Sequence, residues 1–119
     1  MQLDLENSNN PFTIKSYGSG FFEVNQQRYQ ENIIISPDNV ERWNITNLEQ
    51  LDIEIFLKYS PDVLLIGTGA QMKFLSPVKI VEFQQHHIGI EIMPTASACR
   101  TFNVLLSENR NVIAALILI

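Results

Sequence analysis

The residues of this chain that could bind a ligand cluster in its second half: Gly67, Thr68, Gly69, Glu91, Thr95, Arg100 and Asn103. Gly67-Thr68-Gly69 directly follows the apolar run Val63-Leu64-Leu65-Ile66, at the carboxyl end of an expected buried strand. Open α/β sheets bind their ligands at such strand ends. Glycine there lets a backbone amide come close to an anion, although a tight turn needing positive φ explains the same residues. Thr95 is expected to cap a helix, whose free first amides could also receive an anion. Arg100 lies a little over one helical turn beyond Thr95, and Asn103 three residues further on a neighbouring face. Together the two could hold a carboxylate or phosphate through charge-assisted hydrogen bonds. Equally, Arg100 could pair with Glu91 or another local carboxylate, or stand solvated.

Several more specific chemistries are absent. The dinucleotide fingerprint needs three glycines leading at once into a helix, and the phosphate loop needs Gly-Lys-Ser/Thr; here Ala70-Gln71-Met72-Lys73-Phe74-Leu75 intervenes. His86 and His87 are neighbours, about 100° apart on a helix, so they do not chelate one ion. They suit a helix C-terminus, where a cation interacts favourably with the dipole. Cys99 falls in an apolar seam, where thiols are inert. No Gly-x-Ser-x-Gly elbow occurs. No catalytic group, cofactor or metal ligand is therefore assigned.

The whole chain bounds the answer. At 119 residues it is expected to form one domain, and 45% hydrophobic with 18% charged residues is ordinary for a globular protein. A net charge of −5 without a basic run argues against nucleic acid or an anionic membrane as partner. The single cysteine excludes an internal disulfide and a cysteine-cluster metal site. Residues 1–10 have neither the pattern of a signal peptide nor that of a presequence. The longest apolar run, 112–119, falls far short of the roughly 20 residues that span a bilayer. The cytoplasm is the expected location, with no insertion into the membrane.

The positioning elements follow from periodicity and punctuation. Residues 1–11 read as a flexible arm ended by Pro11, and 12–119 as a single domain. Strands over 12–17, 21–24 and 29–35 form an antiparallel meander, turned at Gly18-Ser19-Gly20 and Asn25-Gln26-Gln27, with Trp43 plugging its end. Thr46-Asn47-Leu48-Glu49 fits a capping box and opens a helix running to about residue 58. A strand over 63–66 is apolar on both faces and so belongs in the middle of a sheet. Ser76-Pro77 starts a second helix, with serine as N-cap and proline at N1. That helix turns Ile80, Val81 and Ile88 inward and stops at Gly89 in a left-handed cap. A strand over 90–93 leads to the helix opened by Thr95, where Ala98, Phe102 and Leu105 form the apolar seam. After the turn Glu108-Asn109-Arg110-Asn111, the chain ends in the strand within 112–119. An all-β first half followed by α and β in alternation predicts a central sheet with helices packed on it.

From about Phe12 onward the chain resembles the Mth-like domain family of unknown function. The resemblance rests on Gly67-Thr68-Gly69, Ser76-Pro77, Gly89-Ile90-Glu91, Met93, Thr95, Ala98, Arg100-Thr101-Phe102-Asn103, Leu105, Glu108, Arg110, Val112 and Ala114-Ala115-Leu116. Where the family has glycine after Glu108, this chain has Asn109, which also tolerates a left-handed turn. The resemblance implies a three-layer α/β fold: a mixed central sheet, helices, and a smaller N-terminal β layer. It also implies that Gly67, Thr68, Gly69, Thr95, Arg100 and Asn103 converge near one cleft. The family has no accepted enzymatic activity, and its mitochondrial member acts in complex assembly through protein contacts. The expected function is non-catalytic binding of a protein partner, as an assembly factor would, through an apolar face around Phe21, Phe22 and Trp43 or through that cleft. The alternative is a binding protein or enzyme for a small anionic ligand held beside the Gly-Thr-Gly loop.

Overall fold

The computed structural model describes residues 12–119; the expected arm over 1–11 lies outside the described residues. Two sheets carry the fold. The smaller is an antiparallel meander of β1 (Ile14–Gly18), β2 (Phe21–Val24) and β3 (Gln27–Tyr29). Its second turn puts both Asn25 and Gln26 at positive φ, a geometry that follows the twist of the flanking strands. The larger sheet runs in the order β5-β4-β8-β6-β7, from β4 (Ile33–Ser36), β5 (Asn39–Arg42), β6 (Val63–Gly67), β7 (Gly89–Met93) and β8 (Val112–Leu116). It is mixed: β8 is parallel to β6 and antiparallel to β4, and β6 is parallel to β7.

Alternation along β6 and β8 divides the core in two. Val63, Leu65, Val112, Ala114 and Leu116 face one side, where Phe22, Val24 and the helix α3 (Thr95–Ser107) cover them. Leu64, Ile66, Ile113 and Ala115 face the other, under Trp43, Leu51, Phe56 and Phe83. That second layer is built from a 3-10 turn (Leu48–Gln50), a short helix α1 (Glu54–Leu57) and the helix α2 (Pro77–Gln85). Every residue of β6 and β8 is buried, as their two-faced apolar sequences require. The three-layer mixed α/β architecture is therefore as expected. No helix among the described residues is long and apolar enough to cross a membrane.

Four local expectations are corrected. The strand read over 29–35 is two strands in different sheets, because Tyr29 pairs with Phe22 while Ile33 pairs with Arg42 and Leu116. The helix read over 46–58 is broken: Asn47, not Thr46, takes the cap, accepting from the Glu49 amide at 2.9 Å. Thr46 instead donates its amide and hydroxyl to Gln50 Oε1. Helix α2 ends before Gly89; His87 takes the left-handed conformation (φ +61°), and Gly89 begins β7, packed so close to β6 that a Cβ would sit 3.3 Å from the Asp62 carbonyl. Phe22 and Trp43, expected on a contact surface, are 0% and 4% exposed, because Phe22 fills the first core and Trp43 meets Phe56 edge-on in the second.

Phe83 is the one fully buried residue of helix α2. It packs against Phe56, with ring centroids 6.2 Å apart, while Val81, expected inside, is exposed. Phe83→Ala is expected to lose about 3–5 kcal/mol of stability through the cavity it leaves. Val81→Ala should change stability by less than about 0.5 kcal/mol, since little around it is lost. Urea unfolding of both variants checks the contrast.

Candidate functional site

Gly67 ends β6 between Met93 of β7 and Leu116 of β8, facing the first turn of α3. An added Cβ on Gly67 would lie 2.8 Å from Thr95 Oγ1 and 3.0 Å from Thr95 Cα, so only glycine lets the helix start so close to the strand. Gly69, at φ +97°, turns the chain back. Its amide donates to Thr95 Oγ1 at 2.7 Å, and its carbonyl accepts from the Thr95 amide at 3.0 Å. The same hydroxyl donates to the Ile117 carbonyl at 2.7 Å, just beyond β8. Thr68 is equally engaged: its amide donates to the Met93 carbonyl and its hydroxyl to the Gln71 carbonyl.

Thr95 is thus the first residue of α3 rather than its cap; Pro94 holds that position without a side-chain hydrogen bond. Its hydroxyl, expected to serve its own helix, reaches across to two strand ends instead. Being fully buried, with its donor and an acceptor position filled, it satisfies two backbone groups that would otherwise lack partners.

Asn103 performs a similar task at longer range. Its Oδ1 accepts from the Ile14 amide and its Nδ2 donates to the Ile14 carbonyl, both at 2.9 Å, so one side chain mimics a neighbouring strand and ties β1 to α3. Arg100, one turn earlier, is exposed; it donates to the Tyr17 hydroxyl at 2.9 Å and to Ser97 Oγ at 3.4 Å. It makes no ion pair with Glu91, which stands exposed on β7, the edge of the large sheet. His86 Nδ1 lies 3.0 Å from the Glu82 carbonyl at the end of α2, and the adjacent His87 forms the left-handed turn. Among the described residues no group of three or more His, Cys, Asp or Glu side chains is placed to hold a metal ion.

The two most exposed large apolar residues among those described, Phe74 and Val78, lie on the opposite side of the large sheet, while Val104 on α3 is 56% exposed. Phe74 is 88% and Val78 78% exposed, with Val81 at 47% and Met72 at 44%. They occupy the loop after Gly69 and the outward face of α2, joined by Ser76, Pro77 and Lys79, which border the hollows beside both. No expectation from the sequence pointed to them. The available signal was Met72, Phe74 and Leu75 in a segment with neither helical nor strand periodicity.

Cys99 is buried in the first core, and burial pushes its thiol from 9.0 up to about 12, with the nearby Arg100 charge opposing the rise. At pH 8 the folded protein is expected to react with a thiol reagent roughly 100-fold or more slowly than the urea-unfolded chain. Above about pH 9 the unfolded chain releases this proton and the folded one retains it, so stability should fall as pH rises toward 12. Labelling rates and urea midpoints across that range measure both effects.

Comparison with known proteins places this geometry in a lineage. Assembly factor 3 of the NADH dehydrogenase (ubiquinone) 1 alpha subcomplex from Xenopus tropicalis is 32% identical over 109 residues, covering 87% of this chain and 60% of the relative. The chain thus spans about 60% of the length of that curated relative. A protein named 13 kDa major membrane protein, from Francisella tularensis, is 30% identical over 118 residues, 94% of this chain and 95% of its own length. The solution structure of a Mth938-like domain from Bordetella pertussis superimposes with a TM-score of 0.77 at 26% identity, covering 91% of this chain and 86% of that one. Residues 14–117 match the family described as protein of unknown function (DUF498/DUF598), and the chain belongs to that family.

Proposed function

We propose that this protein is a non-catalytic protein-binding factor, acting in the assembly of a larger complex, and that it docks its partner on the apolar surface formed by Phe74, Val78 and Val81. The observation that carries this reading is the exposure of Phe74 and Val78, 88% and 78%, beside neighbouring hollows that share Ser76, Pro77 and Lys79. Apolar side chains gathered at one place, rimmed by polar ones, mark interaction surfaces where scattered ones do not. Here Lys79, Glu82 and Gln85 supply the polar rim. The names of the assembly-factor relatives lend the same reading support. The cytoplasm is its proposed compartment.

Recovery of partners from the native host, with wild type, Phe74→Ser/Val78→Ser and Arg100→Ala as parallel baits, tests it. The double variant should lose the partner by about tenfold or more, as the loss of a buried aromatic anchor does. Arg100→Ala should retain it. Equal recovery with all three baits contradicts the assignment of the surface.

A second reading keeps Gly67, Thr68, Gly69, Glu91, Thr95, Arg100 and Asn103 as the surroundings of an anionic small-molecule site. Arg100 favours it, being exposed and flanked by the Tyr17 and Ser97 hydroxyls. A carboxylate or phosphate could take charge-assisted hydrogen bonds from that group. In a thermal-shift screen of anionic metabolites, this reading expects a stabilisation that Arg100→Ala abolishes; a flat screen contradicts it.

A further inference from the structure

We infer that the occupant of the α2 surface is a second copy of this chain, packed antiparallel about a two-fold axis that runs between the two facing helices, perpendicular to both and level with the midpoint of Ile80 and Val81. The inference rests on the preceding assignment of that surface to protein binding and names the partner. Its basis is the pattern of charge on the helix.

With Phe83 and Ile80 directed to the core, 100° per residue places Val78, Val81, Glu82 and Gln85 on the outward face and Lys79 on its flank, beside Phe74. Lys79 and Glu82 lie on the same side of that face, about 60° apart, at equal distances from the midpoint of 80 and 81. A two-fold axis lying in front of the outward face, perpendicular to the helix and level with that midpoint, keeps the side and reverses the height. It therefore brings Lys79 of each copy opposite Glu82 of the other, twice over, with Val81 meeting its own counterpart. The surface is complementary to itself because its charges are opposite in sign and symmetrically spaced. A surface of single sign would meet one of the two charges with repulsion, which disfavours an anionic bilayer as occupant.

Both charged groups are available. The ion pairs are Arg42–Glu31 and Lys58–Glu41, so neither Lys79 nor Glu82 has an ionic partner among the described residues. Lys79 Nζ donates to the Leu51 carbonyl at 2.7 Å, which holds the ammonium in place and leaves two of its three donors for a partner. Beside the helix lies a shallow groove of about 730 Å³, bordered by Pro77, Val78, Val81 and Glu82, into which the second copy's side chains can enter. Phe74 borders the neighbouring hollow with Ser76, Pro77 and Lys79, and extends the contact at the N-terminal end of the helix. The valines and Phe74 provide the affinity; the ion pairs, largely solvated, set the register and the orientation.

The contact is small. A helix of nine residues is about 13 Å long, and an interface built on it falls at the low end of specific interfaces. The dimer is therefore weak and reversible, populated at high micromolar concentration.

Sedimentation equilibrium between about 10 and 500 µM, a range that brackets a weak, reversible association, tests it. Wild type should rise from the 13.6 kDa monomer toward twice that mass. Val78→Asp, at an exposed position with little folding role, should stay monomeric throughout. Lys79→Glu and Glu82→Lys should each be monomeric alone, since each homodimer opposes like charges. Their equimolar mixture should recover the wild-type mass, because it restores both opposite-charge contacts. A thermal melt of Lys79→Glu accompanies the series, as that variant also loses the bond to Leu51. A wild type that remains monomeric at the highest concentration overturns the inference, as does a mixture that fails to associate or a Val78→Asp that dimerises like wild type. A monomeric wild type whose captured partner is still lost in Phe74→Ser/Val78→Ser refutes self-association alone. If that capture is also unaffected, the assignment of the surface itself fails.

Discussion

One hydroxyl group holds the centre of this fold. Thr95 Oγ1 accepts from the Gly69 amide and donates to the Ile117 carbonyl, joining the ends of two neighbouring parallel strands to the first residue of α3. Neighbouring features follow from that contact. Gly67 must lack a side chain because the hydroxyl would lie 2.8 Å from its Cβ. Gly69 must adopt positive φ to present its amide. The chain beyond β8 stays in line because its carbonyl at Ile117 is engaged here and its amide at Gly67. A fully buried polar group is tolerable only when it is satisfied, and this one is. Within the segment most suggestive of a binding site, Thr95 thereby serves as a structural joint.

The two faces of the central sheet are covered differently. On one, α3 and the small sheet close over β6 and β8, with Asn103 fastening β1 to the helix through the Ile14 amide and carbonyl. On the other, α2 presses Phe83 into an aromatic group with Phe56 and Trp43, and turns valines outward. The two most exposed apolar side chains among the described residues, Phe74 and Val78, belong to that second side.

Much of the architecture was legible because it rests on local signals. Ser76-Pro77 starts α2 as its residue types require, with Ser76 Oγ accepting from the Val78 amide. The fully apolar runs of β6 and β8 mark central strands, and Asn109 takes the left-handed turn at φ +60°. What was not legible depended on distant partners. Nothing in Asn103 announces a strand 89 positions earlier, and nothing in Thr95 distinguishes a hydroxyl serving its own helix from one serving two strands. Over 29–35 a single apolar pattern concealed a change of sheet, because either sheet can bury such residues. In α2, apolar residues at 78, 80, 81 and 83 surround the helix so evenly that periodicity leaves the inward face ambiguous. That ambiguity hid the exposed face from the reading of the sequence.

Amide hydrogen exchange at Gly69 measures the central claim most directly. A loop amide at a ligand site would exchange by local fluctuation, whereas one bonded to a buried hydroxyl at a structural joint exchanges only when the whole domain opens. The account predicts that the Gly69 amide exchanges as slowly as those of Leu65 and Ala114 in the central strands, with the same dependence on denaturant. Exchange as fast as that of the exposed loop around Phe74 would contradict it.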